Sequence, residues 1–322
     1  MTRAGGLALS LLATPLNVQI LNALKGGPML LLELRQAAGS PPQSTMRLYS
    51  RTLTELGIID RQRQATFPGS VEYRITPAGE DLLGVAGVLE TWLNLAPREP
   101  IQLGSTAAKS ATKALVEGWS TNIVRAIAAQ PLSLTELNKV IPKVSYPSLE
   151  RRLGSMRLAG LVEPQPTERR GTPYGATDWL RRAIVPVGAA AAWERRHRPA
   201  GAQPIGRLGV EAAFLLAMPL LRMSPSFSGK FRLAVEVQGG SSPIYAGALA
   251  CYEEGRLISC SSRLEGEADA WISGSPEDWI RRMSGSPGGG LEVRGDTAPA
   301  EELLDTLGAI GDLVSSRDAD PV

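Results

Sequence analysis

In SPPQSTMRLYSRTLTELG, residues 40–57, Ser44, Thr45, Arg47 and Arg51 fall close enough together to act as one surface. At about 3.6 residues per helical turn, Met46, Ser50 and Leu53 share one face, while Ser44, Arg47, Leu48 and Arg51 share the opposite one. Hydroxyls and guanidinium groups on an exposed helix suit the major groove of DNA. There an arginine donates two hydrogen bonds to a guanine edge, and a serine or threonine reaches a base or a phosphate. Arg61 and Arg63 follow in GIIDRQRQ, whose alternation of apolar and polar residues reads as a strand. From there they would meet flanking backbone and add salt-dependent affinity. The same arginines would equally serve to solvate a helix face, as most charge clusters do. Leu48 fits thymine-methyl contact and plain exposure alike.

The layout returns in RRLGSMRLAGLVEPQ, residues 151–165. Adding 103 to a number in the first copy lands on its counterpart: Ile20 on Ile123, Pro28 on Pro131, Glu33 on Glu136, Leu53 on Met156 and Gly57 on Gly160. Past the strand the offset falls to 101, where Tyr73 meets Tyr174, Thr76 meets Thr177 and Trp92 meets Trp193. Loss of two residues between these points is what a surface loop permits. A repeat of about a hundred residues is domain-sized. In the second copy Ser148, Arg151 and Arg152 are the helix candidates, and Arg169 with Arg170 in TERRG are the strand candidates. Glu150 stands where the first copy has Arg47, so the two copies are expected to read different sequences.

These side chains need a scaffold, and the spacing supplies one. TPLNVQILNALKGG places Leu16, Ile20 and Leu24 on one helix face and stops at Gly26 and Gly27. PMLLLELRQAAG predicts a second helix ending at Gly39, and a third begins with Ser40 as N-cap and Pro41 in its first turn. The strand then turns at FPGS and returns as VEYRIT with Val71, Tyr73 and Ile75 on one face. A longer helix follows, capped by Thr76, with an apolar stripe from Leu82 to Trp92. The trailing helices carrying Trp92 and Trp193 either cap their own domains or pack against each other.

Three short helices, a hairpin closing on VEYRITPAGEDLL and a trailing apolar helix resemble the winged helix-turn-helix of the HxlR type, within the wider MarR-like group. EGWSTNIVRAI is similar to that family's Trp-containing first helix, whereas YGATDWL departs from the usual Tyr-Arg-Leu-Thr-Pro-x-Gly after the wing. The resemblance covers about residues 10–198. It implies double-stranded DNA as a partner and two domains packed like the subunits of a dimer. Here that would be a pseudo-dimer within one chain, with a homodimer also open.

Charge divides the chain as the repeat does. Residues 1–200 carry 24 Lys and Arg against 15 Asp and Glu, a net +9, while residues 201–322 carry 10 against 17, a net −7. The basic half suits a polyanion that the acidic remainder would repel. Two cysteines, Cys251 and Cys260, are too few for a disulfide framework or a zinc site and read as free thiols. The one histidine, His197, sits among arginines in WERRHRP, where a solvated helix end is expected rather than a catalytic or metal site. The N-terminal run leads straight into the first repeat, and no apolar stretch reaches about 18 residues, so no membrane is expected and a cytoplasmic location is.

After the Pro- and Gly-bearing stretch at 199–206, VEAAFLLAMPLL predicts a helix, KFRLAVEVQ and IYAGALACYEEGRLISCSSRL three strands, and SPEDWIRRMSG a helix capped by Ser275. GEADAWISGSPEDWIRRMSG, followed by GLEVRGD and a Leu-rich helix, resembles the sterol carrier protein fold over about residues 205–315. That resemblance implies an apolar tunnel for a hydrophobic or amphipathic small molecule. Phe214, Leu215, Met218, Leu221 and Met223 would line it, with Tyr245 and Trp271 on the sheet. The same residues would equally fill a closed core.

The expected fold is therefore α+β: two tandem winged helix-turn-helix domains, residues 1–100 and 101–198, a linker at 199–206 and a sterol-carrier-like domain at 207–316. The expected function is that of a DNA-binding transcription regulator sensing a hydrophobic molecule. The alternative is a binding protein that uses its winged helices as scaffold or ligand cleft. No acid, base and nucleophile come together in the pattern, and SPGGG precedes a strand rather than a helix, so neither an enzyme nor a cofactor or metal is expected.

Overall fold

A computed structural model describes residues 4–63, 71–118, 121–141, 144–167, 171–203, 205–239, 242–283 and 290–310. The first hundred residues form α1 (Gly6–Leu12), α2 (Pro15–Leu24), β1 (Met29–Leu30), α3 (Leu31–Ala37), α4 (Gln43–Glu55), β2 (Ile59–Arg63), β3 (Val71–Ile75) and α5 (Pro77–Asn94). The strands make a sheet in the order β1-β3-β2, with Met29 opposite Tyr73 and Ile59 opposite Ile75. Gly57, at φ 71°, ends α4 in a left-handed conformation that suits glycine best. Thr76 then ties the sheet to α5. Its hydroxyl donates to the carbonyls of Gly57 and Ile58 and accepts from the Gly79 N–H. Gly79 itself lies so close to Ile58 that a Cβ would sit 2.3 Å from the Ile58 carbonyl oxygen.

Two expectations change here. The second helix is preceded by a two-residue strand, β1, and α4 begins at Gln43 with Pro42, not Ser40, at its N-cap. Ser40 instead lies at φ 53° with its N–H bonded to the Arg35 carbonyl at 2.8 Å, closing the end of α3. The cause is the double proline: Pro41 stands before Pro42 and is pushed away from the helical region, so the helix cannot include Pro41 and Ser40 cannot be its N-cap.

The next hundred residues run in a parallel order: α6 (Thr106–Gly118), α7 (Thr121–Ala129), β4 (Leu132–Ser133), α8 (Leu134–Val140), α9 (Tyr146–Leu158), β5 (Val162–Pro164), β6 (Pro173–Ala176), α10 (Asp178–Arg182) and α11 (Ile184–His197). The sheet order is β4-β6-β5, with Leu132 opposite Tyr174. Gly160 has φ 80°, and the Thr177 hydroxyl donates to Gly160 and Leu161 and accepts from Leu180, the Thr76 pattern at the offsets of the repeat. One helix, α5, is matched by two, α10 and α11. The break falls where Pro186 has no N–H to give the Arg182 carbonyl. Trp119, in the segment likened to a Trp-containing first helix, and the FPGS turn lie outside the described residues.

The trailing helices α5 and α11 pack against each other, and α1 packs on α11. Glu194 of α11 is buried and accepts from the N–H groups of Gly5, Leu7 and Ala8 at 2.7–3.1 Å, holding the start of α1.

The rest of the chain forms α12 (Arg207–Ala217), a short 3-10 turn (Met218–Leu220), β7 (Gly229–Gly239), β8 (Ser242–Glu253), β9 (Arg256–Ser261), β10 (Ala270–Gly274), α13 (Pro276–Met283), β11 (Glu292–Gly295) and α14 (Thr297–Gly308). Its five-stranded sheet has the order β11-β10-β7-β8-β9, parallel only between β10 and β7. Phe231, Leu233 and Val235 alternate inward on β7 and meet Phe214, Trp279 and Leu303 of the three helices. Helix α12 serves two cores: Val210, Phe214 and Ala217 face the sheet, while Ala212, Leu215 and Leu216 join the core of the preceding two hundred residues. No single helix among the described residues is long and apolar enough to cross a membrane.

Candidate nucleic-acid interface

Helix α4 has the two faces that its sequence calls for. Met46, Ser50 and Leu53 are fully buried, whereas Ser44, Arg47, Leu48 and Arg51 are exposed, and Thr45 is half-buried on the flank. Arg47 and Leu48 therefore project from a helix whose inner side is fixed by packing. Arg51 donates to Glu55 one turn on, at 2.7 Å, and that hydrogen bond and charge hold its guanidinium above the usual pKa. To meet a base it would have to exchange this partner. Arg61 and Arg63 are exposed on β2, next to an ion pair between Asp60 and Arg74 at 2.9 Å.

In the second hundred residues the equivalent inner face is Leu149, Leu153 and Met156, all buried on α9. Glu150 and Arg151 are exposed, and Ser148 and Arg152 are half-buried. Position by position, Arg151 answers to Leu48 and Arg152 to Tyr49, while the counterpart of Arg51 is Gly154, so α9 presents a different face from α4. Tyr146, 44% exposed at the start of α9, is a further exposed side chain there, and its sequence signal is its place before Pro147 in a helical first turn. Arg169 and Arg170 lie outside the described residues.

His197 departs from the solvated helix end expected of it. Its Nε2 lies 2.7 Å from an Asp81 oxygen, its ring tilts against Trp193, and Arg196 reaches the same carboxylate at 3.4 Å. Trp193 and His197 thus belong to the contact between α11 and α5, whereas Arg196 stays largely in solvent.

The seven residues expected to line a ligand tunnel do not come together. Leu215 is buried in the core of the preceding two hundred residues. Phe214, Met218 and Leu221 are buried in the packed side of the sheet, and Met223 is half-buried at its edge. Tyr245, 46% exposed, and Trp271 stand on the opposite face, edge to face at 5.7 Å, with Arg232 over the Trp271 ring. Strand alternation is the reason: Trp271 pairs with Arg232, and its neighbours Ala270 and Ile272 take the inward places beside Phe231 and Leu233. On β9, close to Arg181, burial pushes the Cys260 thiol up to about 12. Among the described residues no group of His, Cys, Asp and Glu could hold a metal ion.

No curated protein matches the chain. Residues 12–99, which contain α4 and its hairpin, match the model of the HxlR-like helix-turn-helix family, a family of DNA-binding transcription regulators.

Proposed function

We propose that this chain is a DNA-binding transcription regulator with two winged helices in tandem, α4 and α9 being the reading helices. The observation that carries the reading is the division of α4, buried on Met46, Ser50 and Leu53 and exposed on Ser44, Arg47 and Leu48, inside the segment that matches the HxlR-like model. Arg47 would read a base edge, Ser44, Thr45 and Arg51 would help place the helix, and Arg61 and Arg63 would follow the backbone. Ser148, Arg151, Arg152, Arg169 and Arg170 would do the same for the second head. Packing of α5 on α11 supports a pseudo-dimer in one chain, which would set the heads on half-sites about 10 base pairs apart.

Residues 207–316 are proposed as an input domain of the sterol carrier type. Its coupling to the second head is supported by Glu211 of α12, 1% exposed, which pairs with Arg207 and with Arg125 of α7, while Arg125 also bonds Ser262 at 2.9 Å. Arg195 of α11 adds an ion pair to Glu277 of α13. A ligand can move the DNA equilibrium only by binding its two states differently, typically by about 1–3 kcal/mol. Footprinting on DNA from the chain's own upstream region, with the mass of the complex, tests the reading: one chain protecting two imperfect half-sites supports it, and protection of one half-site per chain removes the pseudo-dimer.

A further inference from the structure

Helices α4 and α9 have the same bounds at the repeat offset: Gln43 falls on Tyr146 and Glu55 on Leu158. Their inward residues fall on one another as well, Met46 on Leu149, Ser50 on Leu153 and Leu53 on Met156, all of them buried. Arg47 and Glu150 therefore leave equivalent helices at the same turn and on the same side, and both are exposed. One is a cation and the other an anion.

A carboxylate at that place is costly, because it faces the polyanion that the arginines beside it attract. Residues three and four places away are its neighbours on the helix surface, and for Glu150 these are Tyr146, Pro147, Leu153 and Gly154, none of them a cation. Arg151 and Arg152 are next in the chain but do not face it. The charge of Glu150 is thus not answered on its own helix, as that of Arg51 is by Glu55. Phosphate repels it, so only a donor on a base edge offsets the cost. In the major groove guanine shows O6 and N7 and thymine shows O4, all acceptors, while adenine sets N7 beside its N6 donor. Of the four bases only cytosine presents a donor and no acceptor, at N4.

We infer that Glu150 makes the second head select cytosine at the position where the first head, through Arg47, selects guanine. The carboxylate accepts from cytosine N4 and sets acceptor against acceptor on guanine, so it acts by exclusion as much as by attraction. Ser148, Arg151 and Arg152 hold the helix on the backbone meanwhile. Two like heads would read an inverted repeat equally in both directions. Unlike heads give one chain a fixed direction on its operator. The inference rests on the function proposed above and adds the base to it.

The test is selection by the full chain from a pool of duplexes with about 30 random base pairs, enough for two half-sites about 10 base pairs apart. The wild-type chain should retrieve guanine in one half-site and cytosine at the equivalent position of the other. Arg47→Ala should relax the guanine alone, which assigns that half-site to α4. Glu150 is exposed, so changes there leave the fold in place. Glu150→Arg should turn the cytosine to guanine and leave a symmetric inverted repeat. Glu150→Gln should turn it to adenine, on which an amide bonds N6 and N7 together. On two duplexes that differ only at this base pair, the wild-type chain should bind the cytosine form about tenfold more tightly and Glu150→Arg should reverse the order, one wrong base pair costing roughly that much. The same base in both half-sites for the wild-type chain, or a second half-site that Glu150→Arg leaves unchanged, would overturn the inference and leave the regulator reading intact. Failure of the wild-type chain to retrieve any sequence would remove the regulator reading itself, and the base assignment with it.

Discussion

The indole N–H of Trp92 donates to the main-chain carbonyl of Trp179 at 2.8 Å, and the indole N–H of Trp193 donates to the carbonyl of Ala78 at 2.7 Å. At the repeat offset of 101, Trp92 corresponds to Trp193 and Ala78 to Trp179, so these are one contact made twice in opposite senses. A contact in which i meets j while the counterpart of i meets the counterpart of j is the mark of a two-fold interface. Here it lies within one chain. One difference breaks the symmetry: Trp179, where the other side has Ala78, stacks on Trp92 with centroids 4.3 Å apart and bonds back to its carbonyl.

That asymmetry predicts unequal costs. Trp92→Ala removes a fully buried ring, its stack and its hydrogen bond, for a loss of about 3–5 kcal/mol. Trp193→Phe keeps most of the apolar surface and loses chiefly the bond to Ala78, for about 1 kcal/mol. Urea unfolding of the two variants checks the order.

Glu194 holds three backbone N–H groups at the start of α1. Glu194→Ala leaves them buried without an acceptor and should cost about 2–4 kcal/mol, with Glu194→Gln recovering part of it because one carbonyl oxygen remains. Amide exchange should show residues 5–8 opening first in the alanine variant.

Glu211 ties α12 to α7 through its ion pair with Arg125. Glu211→Ala leaves Arg125 facing a buried site and should cost about 3 kcal/mol, whereas Arg207→Ala should cost well under 1 kcal/mol because the Arg207 side chain is largely in solvent. A double variant, Arg125→Ala with Glu211→Ala, should be less than additive, which thermal unfolding reads directly.

Burial raises the pKa of both Cys260, to about 12, and Tyr252. In the unfolded chain these groups ionise at lower pH, so between the unfolded and folded values the native state binds more protons than the unfolded one. Stability is then fully present below about pH 8.5, the ordinary cysteine value, and falls as pH rises beyond it. Urea midpoints measured from pH 7 to pH 11 should decline above that point, and Cys260→Ser should flatten part of the decline.

Much of α4 was legible because its inward residues recur at helical spacing and each is large enough to fix the face, Met46 and Leu53 above all. Its first turn was not, since Ser40 has the chemistry of a cap and only the two following prolines deny it that place. The repeat was legible residue by residue, but the contact it makes was not. Alignment sets Trp92 beside Trp193 as equivalents, whereas the fold brings Trp92 to Trp179, the equivalent of Ala78. Tyr245 and Trp271 were misplaced for a different reason. Alternation along a strand gives two faces, and which one meets the helices depends on the register with β7, a long-range relation.

The most direct measurement is the affinity of the full chain and of Arg47→Ala for upstream DNA and for a scrambled duplex, by fluorescence anisotropy across a range of salt. If α4 reads bases, the wild-type chain prefers the upstream DNA. Arg47→Ala then loses about 1–3 kcal/mol on that DNA and far less on the scrambled one, with a salt slope changed by less than about one phosphate contact. Equal losses on both duplexes would contradict base reading by Arg47, and the absence of saturable binding to either would contradict the regulator itself.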